Sequence, residues 1–194
     1  MRFARSVVLI LGSTSIHSCG GSRHSAPHAD ERTIAAPTPL VLATEAGERR
    51  VRRNDQFGTG APFILKVDAQ NGGSPDLVMG YEDIPPGRAI PAHRHLIADE
   101  IVFVHAGSGV VDLGDRSTPI QAGATIYIPR NVRVSIKNTG TAPLSIAFFF
   151  SKPGFEAFLR ETSVKEGEPV VPLTRENLRS IRARHQWHTI YENP

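Results

Sequence analysis

The chain lacks most features that would assign it to a large functional class at once. It holds one cysteine, Cys19, in 194 residues, so no internal disulfide is available. It has no long block of one charge sign. Its 22 Lys and Arg against 19 Asp and Glu leave a formal net charge of +3, with the basic residues dispersed, which argues against nucleic acid as a partner. The densest basic group, Arg49, Arg50, Arg52 and Arg53, reads as a solvated strand or loop face. Its first apolar run, Val7 to Leu11 with Gly12, falls far short of the roughly 20 residues that cross a bilayer as a helix. We find no internal repeat, no glycine-rich phosphate loop and no Ser/His/Asp arrangement. What is present suits one ordinary globular domain, with 40% hydrophobic and 21% charged residues. A domain of roughly 150 residues buries about 70% of its unfolded surface, so a metal site in it calls for a functional reason rather than a structural one.

The first residues read as an export signal. Arg2 and Arg5 give a positive start, Val7 to Leu11 an apolar segment, and Ser13 to Ser18 a small or polar approach to the cysteine. The segment Ile16-His17-Ser18-Cys19-Gly20 resembles the lipobox of bacterial lipoproteins, with His17 an unusual occupant. That resemblance implies a signal over 1–18, lipidation of Cys19, export to the bacterial cell envelope and a lipid anchor in a membrane. A cleaved secretory peptide with an incidental cysteine, or a disordered tail, is the plainer alternative. Residues 19–39 are Gly, Ser, Ala, Pro, His and charged residues without apolar period, the composition of a flexible spacer, in which His24 and His28 read as solvent-exposed spacer histidines, with a weak metal-gathering tail as the alternative.

Fifteen prolines and 17 glycines punctuate the chain and disfavour a helical bundle. Short apolar or alternating runs predict strands at Leu40 to Ala43, Phe63 to Val67, Leu77 to Tyr81, Glu100 to His105, Val110 to Leu113, Thr125 to Ile128, Val132 to Lys137 and Leu144 to Phe150. Turn residues separate them, among them Asn71-Gly72-Gly73, Pro85-Pro86-Gly87, Gly107-Ser108-Gly109 and Asn138-Thr139-Gly140. This pattern predicts an all-β sandwich or closed barrel over 40–152. After Pro153-Gly154 the period becomes helical. Phe155, Phe158 and Leu159 predict one short helix, and Thr174 caps a second that carries Leu178, Ile181 and His185. The tail over 153–194 then docks on the barrel through Trp187, Ile190 and Tyr191, while His185, His188 and Trp187 serve packing or satisfied edge contacts rather than a pocket mouth. Phe103, Phe148, Phe149 and Phe150 read as core packing.

Chemistry concentrates between Gly87 and Gly107. His93 and His95 stand two apart and so project from one face of a strand. Glu100 opens the next apolar run, where a buried carboxylate is costly unless paired or bound to a cation. Two imidazoles and a carboxylate can supply three ligands to a divalent transition metal and leave positions open for water, dioxygen or substrate. Surface histidines near a hairpin are the alternative for a bare His-x-His. The spacing of Gly87, His93, His95, Glu100 and Gly107 resembles the first motif of the cupin superfamily: Gly, five residues, His-x-His, three or four residues, Glu, six residues, Gly. The second motif aligns on Gly123, Pro129 and Asn138. It departs from the pattern at Asn131, where glycine is usual, and at Val134, where the fourth metal ligand is usual. Asn tolerates the left-handed backbone; valine cannot ligate.

The resemblance implies a double-stranded β-helix (jelly-roll) cupin barrel with short C-terminal helices. It implies a divalent transition metal, iron, manganese, nickel or similar, held by His93, His95 and Glu100, a small-molecule substrate, and a homodimer formed through strand edges. By likeness to single-domain cupin dioxygenases it implies metal-dependent oxidation of a small organic molecule. The alternative is a noncatalytic small-ligand-binding cupin whose metal site is weakened or vestigial because of Val134. Alternation from Glu100 turns His105 outward, away from the ligand set. Tyr81, Tyr127 and Arg133 are candidate pocket residues, and no residue declares itself as a general base or nucleophile.

Overall fold

A computed structural model describes residues 39–54, 59–71 and 75–192. The expected signal, Cys19 and all of the expected spacer but its last residue lie outside the described residues. Ten strands come first: β1 (Glu48–Arg52), β2 (Pro62–Val67), β3 (Val78–Ile84), β4 (Ala89–His95), β5 (Glu100–Ala106), β6 (Ser108–Leu113), β7 (Arg116–Gln121), β8 (Thr125–Ile128), β9 (Val134–Asn138) and β10 (Leu144–Phe150). Helix α1 (Phe155–Glu161), strand β11 (Ser163–Lys165), helix α2 (Arg175–His185) and strand β12 (Thr189–Tyr191) complete the chain. They form two antiparallel sheets in the orders β11-β1-β2-β3-β10-β5-β8 and β12-β4-β9-β6-β7. This is the jelly-roll barrel with two short helices that the sequence leads one to expect.

The strands follow the two-residue period of their side chains. In β5, Glu100, Val102 and Val104 are buried while Ile101, Phe103 and His105 are exposed. Inward residues of both sheets, among them Phe63, Leu65, Val104, Val134, Ile146 and Phe150, make one continuous core. The turns explain the motif residues. Gly107 sits at φ 83°, and a Cβ there would meet the carbonyl oxygen of Pro143 at 2.4 Å, so both conformation and space require glycine. Asn131 takes the left-handed conformation expected of it, at φ 64°, and its N–H donates to the His95 carbonyl at 2.6 Å, tying the β8–β9 turn to the end of β4. Asn138 is fully buried. Its amide donates to the carbonyls of Ile84 at 2.7 Å and Ala142 at 2.9 Å, and its Oδ1 accepts from Gly140 N–H at 2.9 Å. It thereby satisfies three backbone groups, each costing about 1–3 kcal/mol if left buried and unpaired.

The structure corrects several expectations. Leu40 to Ala43 is not a strand: the run has no ladder partner among the described residues, and Val41 is fully exposed. The first strand lies further on, at β1, and two of its arginines are not solvated. Arg50 and Arg52 are buried because carboxylates inside the fold neutralise them: Glu48 faces Arg50 at 2.6 Å, and Glu82 pairs with Arg52. Phe148 and Phe150 are core, but alternation turns Phe103 and Phe149 outward, where they are 40% and 38% exposed. The tail is more than helical. Its α2 is capped at Thr174 as expected, with Thr174 Oγ1 accepting from Asn177 N–H. Its strands β11 and β12 extend one sheet each, and β12 lies beside β4, with Thr189 opposite His95 and Tyr191 opposite His93. Trp187 and Ile190 remain largely exposed, so Tyr191 does the docking, its ring against those of His93 and Phe158.

Candidate metal centre

β4 carries His93 and His95 to the barrel interior on its inward positions, and β5 begins with Glu100 facing them. All three are buried, and one ligand atom of each lies within 4.8 Å of the others. The two imidazole Nε2 atoms are 3.0 Å apart, and His95 Nε2 is 3.3 Å from a Glu100 carboxylate oxygen. The Nδ1 of His93 stands 2.8 Å from the Pro91 carbonyl oxygen. A carbonyl only accepts, so the His93 proton sits on Nδ1 and its Nε2 presents a lone pair inward.

Burial dictates the protonation states. Desolvation, assisted by the neighbouring His95, pushes the His93 imidazole down to about 4, and desolvation pushes His95 down to about 3. The same burial pushes the Glu100 carboxyl up to about 7. Two neutral imidazoles and a carboxylate aimed at one another, without a cation in their own side chains, are the donor set of a divalent transition metal. The spacing fits as well: the two Nε2 atoms, 3.0 Å apart, are close enough that both could ligate one ion.

Val134, 1% exposed, pairs with His93 across β4 and β9 and lines the same cavity. Position 134 therefore faces the centre and offers only methyl groups. The cavity measures about 20 Å³, room for about one water, and Phe155 and Leu159 of α1 contribute to its wall. The rings of Phe155 and His95 meet edge to face at 4.8 Å. The paired Arg52 and Glu82 complete the polar part of the wall.

Other expected residues lie elsewhere. His105 is exposed, as alternation requires, beside Tyr81. Tyr127 is 58% exposed, and Arg133 donates to Glu192 at 2.7 Å, so neither of them nor Tyr81 lines the metal cavity. His185 and His188 are buried and hydrogen-bonded to one another. Sequence reasoning missed Arg52, Glu82, Phe155 and Thr189 as neighbours of the centre; only the spacing of His185 and His188 offered a sign of what the tail brings.

The fold and site together define a jelly-roll barrel in whose interior two histidines and a carboxylate converge as a set that could hold a metal ion. Residues 80–150 match the cupin domain family. Auxin-binding protein 1 of Arabidopsis thaliana is 31% identical over 141 residues, 68% of this chain and 71% of that protein. Dimethylsulfoniopropionate lyase DddW of Ruegeria pomeroyi is 27% identical over 148 residues, 76% of this chain and 87% of that one. A crystal structure described as a predicted oxalate decarboxylase, from Thermotoga maritima, superposes with a TM-score of 0.51 at 21% identity, covering 59% of this chain and all of that one, and shares the fold. The chain belongs to the cupin family.

Proposed function

We propose that this cupin binds a divalent transition ion, iron, manganese or nickel, through His93 Nε2, His95 Nε2 and the Glu100 carboxylate, and oxidises a small organic molecule with dioxygen. The observation that carries this reading is the convergence of three buried lone-pair donors within 4.8 Å. A bound ion of this kind supplies Lewis acidity and redox chemistry. The protein's own residues do the rest. His93 and His95 are held neutral and oriented, Glu100 contributes the one negative charge, and Ile90, Ile136 and Phe148 keep the surroundings apolar. With three protein ligands, positions remain open for dioxygen and substrate. A ligand much larger than water has to displace Phe155 or Leu159 from the cavity wall.

A second reading, a noncatalytic receptor for a small ligand, is favoured by Val134, which makes the wall apolar where a fourth donor would stand. The relatives named above, one for binding a small molecule and one as a lyase, support small organic molecules as the ligand class under both readings. Metal analysis of protein purified without a histidine tag separates the two. The expected result is close to one transition ion per chain, with dioxygen uptake when candidate small organic substrates are supplied. Metal-free wild-type protein that still binds small molecules would overturn the oxidase reading and leave the receptor.

We propose also that the chain is exported and held at the bacterial cell envelope by lipid on Cys19, supported by Arg2, Arg5, the apolar run from Val7 and the segment Ile16 to Gly20. No helix of the described residues is long and apolar enough to cross a membrane. Cys19→Ser is expected to abolish fatty-acid incorporation and release the protein from membranes. Continued membrane retention of that variant rejects the anchor.

A further inference from the structure

Behind the metal centre runs a line of buried hydrogen bonds that the ligand set does not use. His95 Nδ1 lies 3.1 Å from Thr189 Oγ1, and Thr189 Oγ1 lies 2.8 Å from His188 Nδ1. His188 Nε2 is 2.9 Å from His185 Nδ1, and His185 Nε2 is 3.0 Å from Glu161 Oε1 at the surface. Four links thus join an interior imidazole to a carboxylate whose side chain is 41% exposed and which also pairs with Arg184 at 2.6 Å.

The two ends of this line give it a direction. Burial pushes the Glu161 carboxyl up, but its bonds to Arg184 and His185 outweigh that and hold it below the usual carboxylate range, so it only accepts. His185 Nε2 must then carry a proton. In the neutral form of the three imidazoles, His185 Nδ1 is an acceptor, His188 donates to it from Nε2, and His188 Nδ1 accepts from the Thr189 hydroxyl. The hydroxyl oxygen, its own proton committed, accepts from His95 Nδ1–H. His95 Nε2 is left as a bare lone pair pointing at His93 and Glu100. A threonine hydroxyl suits this place because it donates once while accepting from the other side.

We infer that Thr189, His188, His185 and Glu161 form a directional tether that locks His95 in its Nδ1–H tautomer and holds its Nε2 lone pair on the metal position, which makes Thr189 and His188 positioning residues of the centre. The purpose of the tether rests on the metal reading above; its direction does not. The tail was expected to pack on the barrel. Here its last strand and α2 also orient a ligand, since a metal-binding imidazole is held by the partner of its other nitrogen, and loss of such a partner typically weakens metal affinity about 10–100-fold.

The test uses imidazole ¹⁵N chemical shifts in the metal-free protein, which report the tautomer directly, together with Zn²⁺ affinity by calorimetry. In the wild type, His95 is expected to carry its proton on Nδ1 and His188 on Nε2. Thr189→Val, equal in shape but without the hydroxyl, should give a mixed His95 tautomer and bind Zn²⁺ about 10–100-fold more weakly, and Thr189→Ser should restore both. Glu161→Gln, at the surface end and outside the core, exchanges an acceptor-only group for one that can donate, and should let the tautomers of His185 and His188 mix. A wild-type His95 protonated on Nε2 overturns the tether. So does a Thr189→Val protein whose His95 tautomer and Zn²⁺ affinity match the wild type. The expected tautomers in a wild type that binds no Zn²⁺ would uphold the direction of the chain while refuting the metal reading.

Discussion

Glu100→Ala is expected to weaken metal binding by more than 100-fold, with His93→Ala close behind. Loss of an outer hydrogen-bond partner already costs about 10–100-fold, and Glu100 is both a direct donor and the one anionic member of the set. The same residue governs the pH dependence. With His93 pushed down to about 4 and His95 to about 3, both imidazoles are already neutral at pH 6, whereas Glu100, pushed up to about 7, still holds its proton. Metal binding at pH 6 therefore displaces close to one proton. Affinity should fall about tenfold per pH unit below about 7 and flatten above it. Calorimetry in buffers of differing ionisation enthalpy counts that proton directly. Zero proton release, or a Glu100→Ala protein with undiminished metal content, would refute the assignment of Glu100 as a ligand.

In the metal-free protein the sign reverses. The folded-state pKa of Glu100 lies above its ordinary value, so its contribution to stability is fully present below about pH 4.5 and is lost as pH rises through about 7. Glu100→Gln should remove that loss and stabilise the metal-free protein at pH 8 relative to wild type by up to about 3 kcal/mol. Thermal unfolding at pH 5 and pH 8 measures the difference; equal shifts at both would contradict the burial of the charge.

Val134→His is expected to act in the opposite direction on metal, raising affinity at least tenfold, which corresponds to about 1.4 kcal/mol. Position 134 is opposite His93 in the β4–β9 ladder, 1% exposed and on the cavity wall, so a donor placed there has no other environment to face. The cavity of about 20 Å³ is too small to take an imidazole without adjustment, and overpacking a core of this kind costs about 1–3 kcal/mol. The metal-free variant should therefore melt below the wild type, and the metal-loaded variant should gain more from its ion than the wild type does. Unchanged affinity would mean that side chains at position 134 do not reach the centre.

The parts of this protein that could be read from its residues are those whose physics is local. β8 and β10 follow from alternation and turn chemistry with their ends correct. The pairing of His93 with His95 is simply two steps along a strand, and Glu100 follows after one short connection, so three donors meet without any long-range contact having to be guessed. Leu40 to Ala43 shows where local reading fails: apolar composition cannot supply a ladder partner. The basic cluster on β1 fails for a related reason, since the carboxylate that takes Arg52 into the core stands 30 residues away.

The sequence by itself thus settled the barrel, its metal-binding ligand set as a candidate, the outward turn of His105 and the left-handed turn at Asn131. Folding alone decided what surrounds that set. It brings Thr189 to His95 across 94 residues and lays Phe155 against both histidines. The reason is the range of the interactions: a strand's period places side chains by their neighbours in the chain, whereas burial, charge neutralisation and the direction of a hydrogen-bond chain depend on which distant elements pack together.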